Sequence, residues 1–271
     1  MNNYIGFKCL KKCGTRLMHF MVISICLALS SVVVLTYYLA IRQYPKPLQV
    51  FFNIFYYFTA INYFSSYIMA IFTSPGKPPL PDGIDPVCQK CSFSKPPRAH
   101  HCSMCDICCL RYDHHCPWIA NCVGMRNYAH FIKFITFGFI SSMISITLGL
   151  ISAVFGKFGP FQVHLTVRIF TSIILLIFTF MSAICTFIMI SSHFNQIKHN
   201  YTTVESYEME LETKRSKQLG IQFQYPYDLG ISGNLKEIFG ENWLYVWLFP
   251  FIQPRQKIDG TAYRHIINTG L

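Results

Sequence analysis

Four stretches of the chain, 20–41, 50–72, 131–155 and 169–190, are continuously apolar and contain neither Asp nor Glu. Each reaches the roughly 20 residues that a helix needs to cross a bilayer, so the pattern predicts four transmembrane helices. Their polar residues are mostly Ser, Thr and Asn, which can bond a neighbouring helix or a backbone carbonyl and so tolerate burial in lipid. Lys133 is the one charge inside them, and near a helix end it is expected to snorkel toward water. The first run follows Lys8, Lys11, Lys12 and Arg16. Its apolar core is longer than that of a signal peptide and no small-residue cleavage site follows, so a retained signal anchor is expected. No prenylation or retrieval motif is read in 263–271.

Composition agrees: 52% of the 271 residues are hydrophobic and only 13% charged, against roughly a quarter charged in soluble domains. The net charge of +11, from 23 Lys and Arg against 12 Asp and Glu, raises nucleic acid and anionic lipid as partners. Position separates them. The connections 43–49 and 156–168, with their edges, hold only Arg42, Lys46, Lys157 and Arg168, whereas all other basic residues lie in the N-terminus, the loop 73–130 with Lys133, or the tail. Positively charged loops stay cytosolic. The expected order is therefore a cytosolic N-terminus (1–19), helices 1 and 2 (20–73), a cytosolic cysteine-rich domain (74–130), helices 3 and 4 (131–190) and a cytosolic tail (191–271). Topology explains the charge, and no nucleic acid is required.

Eight of the twelve cysteines fall between Cys88 and Cys122, together with His100, His101, His114 and His115. In a reducing cytosol this cluster reads as metal binding, not as a disulfide framework. The spacing Cys88-x2-Cys91, then His101-Cys102-x2-Cys105-x2-Cys108, then His115 and Cys122 is that of zinc, because a tight turn presents two thiolates to one tetrahedral ion. Twelve candidate donors exceed the eight that two closed sites consume, which leaves cysteine for other chemistry. Asp113-His114-His115-Cys116 supplies it: a thiol, an imidazole to take its proton, and a carboxylate to orient the imidazole. Such close spacing on a regular helix or strand would not guarantee convergence, so a zinc-braced irregular loop is the expected scaffold.

The ordered set Cys88-x2-Cys91-x3-Lys95-Pro96-x-Arg98-x2-His101-Cys102-x2-Cys105-x2-Cys108-x4-Asp113-His114-His115-Cys116-x-Trp118-x2-Asn121-Cys122-x-Gly124-x2-Asn127 resembles the cysteine-rich domain of the DHHC palmitoyltransferases. Four helices with this domain between the second and third also match that family's plan. The resemblance implies an all-α integral membrane protein with a small, loop-rich zinc domain bearing short strands. It implies two structural zinc ions with interleaved ligands, Cys88, Cys91, His101 and Cys108 at one and Cys102, Cys105, His115 and Cys122 at the other. It leaves Cys116 as nucleophile, His114 as base and Asp113 as its partner. Thr202-Thr203-Val204-Glu205 resembles the family's TTxE motif, and Asn234-x4-Phe239-Gly240 followed by Trp243, Tyr245 and Trp247 resembles its C-terminal packing motif; Thr202, Thr203 and Asn234 are expected to be structural supports. Ser74-Pro75-Gly76 departs from the family's Asp-Pro-Gly, so the role of that carboxylate is absent.

The resemblance implies protein S-acylation, with palmitoyl-CoA or a similar acyl-CoA as co-substrate and substrate proteins that carry juxtamembrane cysteines. A tail of about fourteen methylenes at roughly 0.8 kcal/mol each belongs in lipid or between the helices. Lys95 and Arg98 are candidates for the CoA phosphates; Arg126 is as well read as a headgroup-facing surface charge. Glu205, Glu208, Glu210 and Glu212, followed by Lys214, Arg215 and Lys217, read as an exposed charged segment. Cys9 and Cys13 are either acylated or idle, and Cys109 is structural or idle. An ER or Golgi membrane is expected, with the plasma membrane as the alternative, and these motifs specify neither an accessory subunit nor a homo-oligomer. A membrane-anchored zinc module that recruits proteins would treat Cys116 as a bystander. A zinc hydrolase would need an open metal position, which eight assigned ligands do not leave.

Overall fold

The first two apolar runs form helices α1 (Cys13–Ile41) and α2 (Lys46–Phe72), and the last two form α3 (Tyr128–Phe155) and α4 (Leu165–His199). The structure is a computed structural model that describes residues 13–42, 44–155, 165–221 and 223–263. Cys9 and most of the connection 156–168 lie outside the described residues, and Cys13 opens α1. Tyr128–Ile151 and Ser172–His199 are long and apolar enough to cross a membrane. Among the described residues α1 has a shorter apolar run, Ile23–Leu35, and α2 is interrupted by Asn53, Asn62 and the tyrosines at 56, 57, 63 and 67. Asn53 and Tyr63 meet the neighbouring helix. Ser30 and Tyr63 share a hydrogen bond of 2.7 Å, Tyr37 donates to Asn53 at 2.8 Å and Ser141 to Thr59 at 3.0 Å, the kind of interhelical bond that lets hydroxyls sit among apolar helices.

Helix α4 runs nine residues past the end of its predicted apolar run, to His199. The extension carries His193 and Gln196, 5% and 6% exposed, down beside the cysteine-rich domain. Three shorter helices follow: α5 (Thr203–Gln218), α6 (Gly230–Phe239) and α7 (Trp243–Leu248). Asn234 joins α6 to α4, because its side-chain amide donates to the Lys198 carbonyl at 2.7 Å and its Oδ1 accepts from the Leu229 N–H at 2.8 Å. Gly240 follows α6 at φ +79°, where a Cβ would meet the backbone of Arg255 at 2.4 Å, so only glycine fits this turn.

Three charges differ from expectation. Lys133 does not snorkel: it is 1% exposed and donates to the carbonyls of Val246 and Phe249. It satisfies carbonyls at the end of α7 that have no helical partner. Arg98, read as open to phosphate, is instead buried. Its guanidinium is buried between the rings of Tyr227 and Tyr263, 4.6 and 4.8 Å away. It pairs with Glu205 at 2.7 Å and Glu237 at 3.3 Å and donates to the Asn200 carbonyl at 2.5 Å. Glu205, expected to be exposed, is the buried partner of that pair, while Glu208, Glu210 and Glu212 are exposed. Burial pushes the Glu205 carboxyl up, but the adjacent Arg98 charge outweighs it and leaves the group below its ordinary value. Removing one member of a buried pair strands the other charge. Glu205→Ala is therefore expected to cost about 3 kcal/mol and to lower the thermal midpoint of the detergent-purified protein by several degrees. Glu210→Ala, which breaks only the exposed pair with Lys214, should leave it unchanged.

Candidate active site

Each half of the cysteine-rich domain begins with the same turn. In Cys88-x2-Cys91 and Cys102-x2-Cys105 the residue after the second cysteine, Ser92 or Asp106, has positive φ, 56° and 57°. Its N–H returns to the carbonyl of the first cysteine at 2.8 Å in both turns, which turns the two thiols toward one point.

Two antiparallel hairpins complete the ligand sets: β1 (His100–Cys102) with β2 (Ile107–Cys109), and β3 (His114–Cys116) with β4 (Asn121–Val123). Register sets His101 opposite Cys108 and His115 opposite Cys122. Successive strand residues point to opposite faces, which accounts for the interleaving. His101 and Cys108 join Cys88 and Cys91 on one face, while the next residue, Cys102, turns to the other group with Cys105, His115 and Cys122. Within each group all donor atoms lie within 4.8 Å of one another. Measured pairs include Cys91–Cys108 at 3.2 Å, Cys105–His115 Nδ1 at 3.3 Å, Cys105–Cys122 at 3.4 Å and Cys88–His101 Nδ1 at 3.7 Å. A tetrahedron with arms of about 2.0–2.3 Å has edges of this order, so each Cys3His set fits a zinc ion. Cys109, fully buried, packs beside Cys102, Cys105 and Cys122 without belonging to either set.

Alternation along β3 also brings together the candidate catalytic residues. His115 turns to its cluster, so His114 and Cys116 share the opposite face. The expected irregular loop is thus a regular strand, and its period of two places His114 and Cys116 on one face. Asp113 is 1% exposed and accepts from His114 Nδ1 at 2.6 Å, from the Thr203 N–H at 2.8 Å and from the Thr203 hydroxyl at 3.1 Å. Burial pushes the Asp113 carboxyl up; the bond and charge of His114, with the Thr203 N–H among the further donors, more than offset this and hold it below its ordinary value. Burial alone would lower His114, but its bond to Asp113 and the neighbouring Cys116 raise it to about 10, so this imidazole is a strong proton acceptor. Cys116 is fully buried in a cluster with Tyr67, Ile119, Phe131 and Phe134, at the end of the helical bundle.

The surrounding motifs clamp this strand. Asn121 and Asn127 direct their amide N–H groups to the carbonyls of Ala70 and Thr73 at the end of α2, at 3.0–3.4 Å, where helical carbonyls lack partners. A Cβ on Gly124 would meet the carbonyl oxygens of Pro75 and Leu110 at 2.8 and 2.9 Å. In place of the family's carboxylate, the Ser74 hydroxyl accepts from the Gly76 N–H at 3.3 Å. Thr202 caps α5 in a capping box: it accepts from the Glu205 N–H at 3.2 Å, and Glu205 accepts from the Thr202 N–H at 2.7 Å. That leaves Thr203 as the first helical residue, with its N–H free for Asp113.

Lys95 is half-buried on a cleft of about 390 Å³ shared with His100, Glu208 and Tyr225, and Arg126 is exposed. His100 and His130 lie outside both metal groups. Sequence reasoning missed Asn200, which accepts from Arg98 and Arg111 and donates to Glu237, and it missed Gln196 and His193. Their only signal was that the helix continues beyond its apolar run.

Two Cys3His groups that fit zinc, set against a helical bundle with two apolar helices long enough to cross a membrane, define a cysteine-rich, zinc-type domain of a membrane-associated protein. The family model for DHHC palmitoyltransferase matches residues 83–210. The chain is 31% identical over 232 residues to probable protein S-acyltransferase 12 of Arabidopsis thaliana, covering 75% of this chain and 74% of that one. It is 34% identical over 204 residues to probable protein S-acyltransferase 16 of the same plant, covering 68% and 71%. Against palmitoyltransferase ZDHHC15 of Rattus norvegicus it is 30% identical over 163 residues, 60% of this chain and 46% of that one, and so spans about half the relative's length. The chain belongs to the DHHC palmitoyltransferase family.

Cys108→Ser is expected to lower the zinc content by about one ion per chain from about two, whereas Cys109→Ser should retain both. Elemental analysis of the purified variants checks this.

Proposed function

We propose that this chain takes a long acyl group from acyl-CoA onto Cys116 and passes it to cysteine thiols of other proteins at the cytosolic face of a membrane. Protein S-acyltransferase activity is what its family relatives are named for. The observation that carries the residue assignment is that Cys116 lies outside both four-donor groups while sharing a strand face with His114, which Asp113 holds at 2.6 Å.

In the first half-reaction His114 takes the thiol proton and the Cys116 sulfur attacks the thioester carbonyl. The carbon–sulfur bond to CoA breaks, and the leaving CoA thiolate takes the proton from His114. In the second half His114 removes the proton of an acceptor cysteine, whose sulfur attacks the acyl-Cys116 carbonyl and returns Cys116 as thiolate. One thioester replaces another, so no nucleotide is consumed. Cys88, Cys91, His101 and Cys108, and Cys102, Cys105, His115 and Cys122, would each hold one structural zinc ion. Four protein donors close each site, which disfavours a hydrolase with metal-bound water.

The reading includes four spanning helices, α1 to α4, with the termini and the cysteine-rich domain cytosolic in an endomembrane. An apolar cavity among these helices, lined by Val33, Tyr63, Phe134, Gly138 and Ser141 among others, shares Tyr63 and Phe134 with the cluster around Cys116. Its volume of about 50 Å³ is too small for a palmitoyl tail as it stands, so a tail held between the helices, with the thioester at the rim, requires them to part. Acceptor cysteines would then have to lie close to the membrane. Lys95, on the cleft it shares with Arg98, is the candidate for a CoA phosphate, because the Arg98 guanidinium is already bonded to Glu205, Glu237 and Asn200.

Incubation of the detergent-purified protein with a clickable palmitoyl-CoA analogue is expected to give a hydroxylamine-labile label on wild type and none on Cys116→Ser, with equal zinc in both. Equal labelling of the two would favour a zinc-braced recruitment module. Asp113→Asn should slow labelling by about 10²-fold or more, because the imidazolium loses its counter-charge, while zinc content stays unchanged.

A further inference from the structure

Asp113 accepts from one hydroxyl, that of Thr203, and a hydroxyl has a single hydrogen to give. Thr203 Oγ1 has two polar neighbours: Asp113 Oδ2 at 3.1 Å and the side-chain amide of Gln196 at 3.0 Å. Whichever of them needs the hydrogen competes for it. Gln196 presents Nε2 to Thr203, so it donates there and leaves the threonine hydrogen to the carboxylate.

The far side of the same amide fixes that direction. Gln196 Oε1 lies 2.6 Å from His193 Nδ1, and the Tyr128 hydroxyl lies 3.2 Å from that same Nδ1 and 3.4 Å from Oε1; an Nδ1 that carries its hydrogen toward Oε1 cannot accept, so the tyrosine O–H goes to Oε1 as well. With Nδ1–H of His193 and the tyrosine O–H both turned to Oε1, the oxygen end of the amide is occupied as an acceptor. The reverse orientation would set Oε1 against Thr203 and draw its hydrogen away from Asp113. A bond to an ionised carboxylate is stronger than one to a neutral amide oxygen, which favours the orientation seen. Gln196 and His193 are both buried, so water does not rescue a mismatch at low cost.

We infer that Gln196 is a positioning residue for the acyl transfer: its amide N–H, oriented by His193 and Tyr128, commits the Thr203 hydroxyl hydrogen to Asp113. The resulting order runs His193 Nδ1–H to Gln196 Oε1, Gln196 Nε2–H to Thr203 Oγ1, and Thr203 O–H to Asp113. Asp113 in turn accepts from His114 Nδ1–H, which leaves Nε2 of His114 as the nitrogen that exchanges the proton. This rests on the assignment of Asp113, His114 and Cys116 to the chemistry.

The direction makes an unusual demand on substitutions. A leucine at 196 removes a donor but leaves Thr203 free to donate to Asp113. A glutamate has the shape of glutamine but presents an acceptor, and so competes with Asp113 for the only hydrogen. The polar, near-isosteric replacement is therefore the more damaging one.

The test measures single-turnover labelling of the full chain by the palmitoyl-CoA analogue. The variants are Gln196→Leu, Gln196→Glu and Thr203→Val, with both Gln196 changes repeated on Thr203→Val; zinc content and thermal midpoint are recorded for each. Expected at saturating analogue is a loss within about threefold for Gln196→Leu and of about tenfold or more for Gln196→Glu and Thr203→Val. The half-saturating concentration should be unchanged. On Thr203→Val the two Gln196 variants should agree within about twofold. Gln196→Glu no worse than Gln196→Leu, a gap that persists without the Thr203 hydroxyl, or a loss in half-saturation alone overturns the inference. If Gln196→Glu does not retain zinc, Gln196→Leu is compared with Thr203→Val, and equal losses overturn it. Label on Cys116→Ser would instead overturn the acyl-transfer assignment, whatever Gln196 does.

Discussion

A strand that alternates faces residue by residue forces His115 one way and His114 with Cys116 the other, and the rest of the molecule is arranged around that division. One face of β3 must be filled by a metal-type cluster and the other by the helical bundle. Neither filling works without the opposite one. Sliding the pairing of β3 with β4 by one residue would turn Cys116 to the sulfur cluster and His115 to Asp113, because a one-residue slip exchanges the faces of a strand. The pairing of His115 with Cys122 therefore holds more than a ligand in place. It decides which cysteine is free.

Around this strand the protein uses helix ends as fixing points. The C-terminal carbonyls of α2 take the amides of Asn121 and Asn127, the last turn of α7 takes Lys133, and the end of α4 takes Asn234. The N-terminus of α5 offers the Thr203 N–H to Asp113. Each of these groups is left over by helix geometry and would be costly to bury unpaired. A buried polar group that must find one partner fixes position more sharply than apolar contact, which tolerates sliding. The Arg98–Glu205 pair does the same between the cysteine-rich domain and α5, with Tyr227 and Tyr263 closing over the guanidinium.

The parts that were legible in the sequence are those whose signal is local. Apolar runs gave the four long helices, with α1 starting seven residues earlier and α4 ending nine later than read, and the Cys-x2-Cys spacings gave the metal-type clusters, because both signals are contiguous. Thr202 to Glu205 was legible as a motif, and the structure resolves it into a capping box whose glutamate also meets Arg98. Where reasoning failed, the partner was far along the chain. Arg98 read as a surface cation because Glu205, over a hundred residues away, was not in view; Lys133 read as snorkelling because α7 was not. The scaffold of Asp113 to Cys116 was misjudged for a different reason. Residues of mixed chemistry hide a period of two that only the pairing with Asn121–Val123 reveals.

The order of these dependencies bears on how the protein can keep the charged Asp113 in a dry place. Burial alone would drive Asp113 to its neutral form, and a neutral carboxyl would neither orient His114 nor stabilise its cation. Donors to the charged form reverse that outcome. Of the three that Asp113 has, two come from Thr203, on a helix that begins 90 residues further along the chain. The position of that helix is set by its own cap and by Arg98. The raised proton affinity of His114 comes from Asp113 and Cys116 within the four-residue motif. Yet the charge on Asp113 that it depends on is held in part by Thr203 at the start of α5, and Thr203 in turn meets Gln196 near the end of α4.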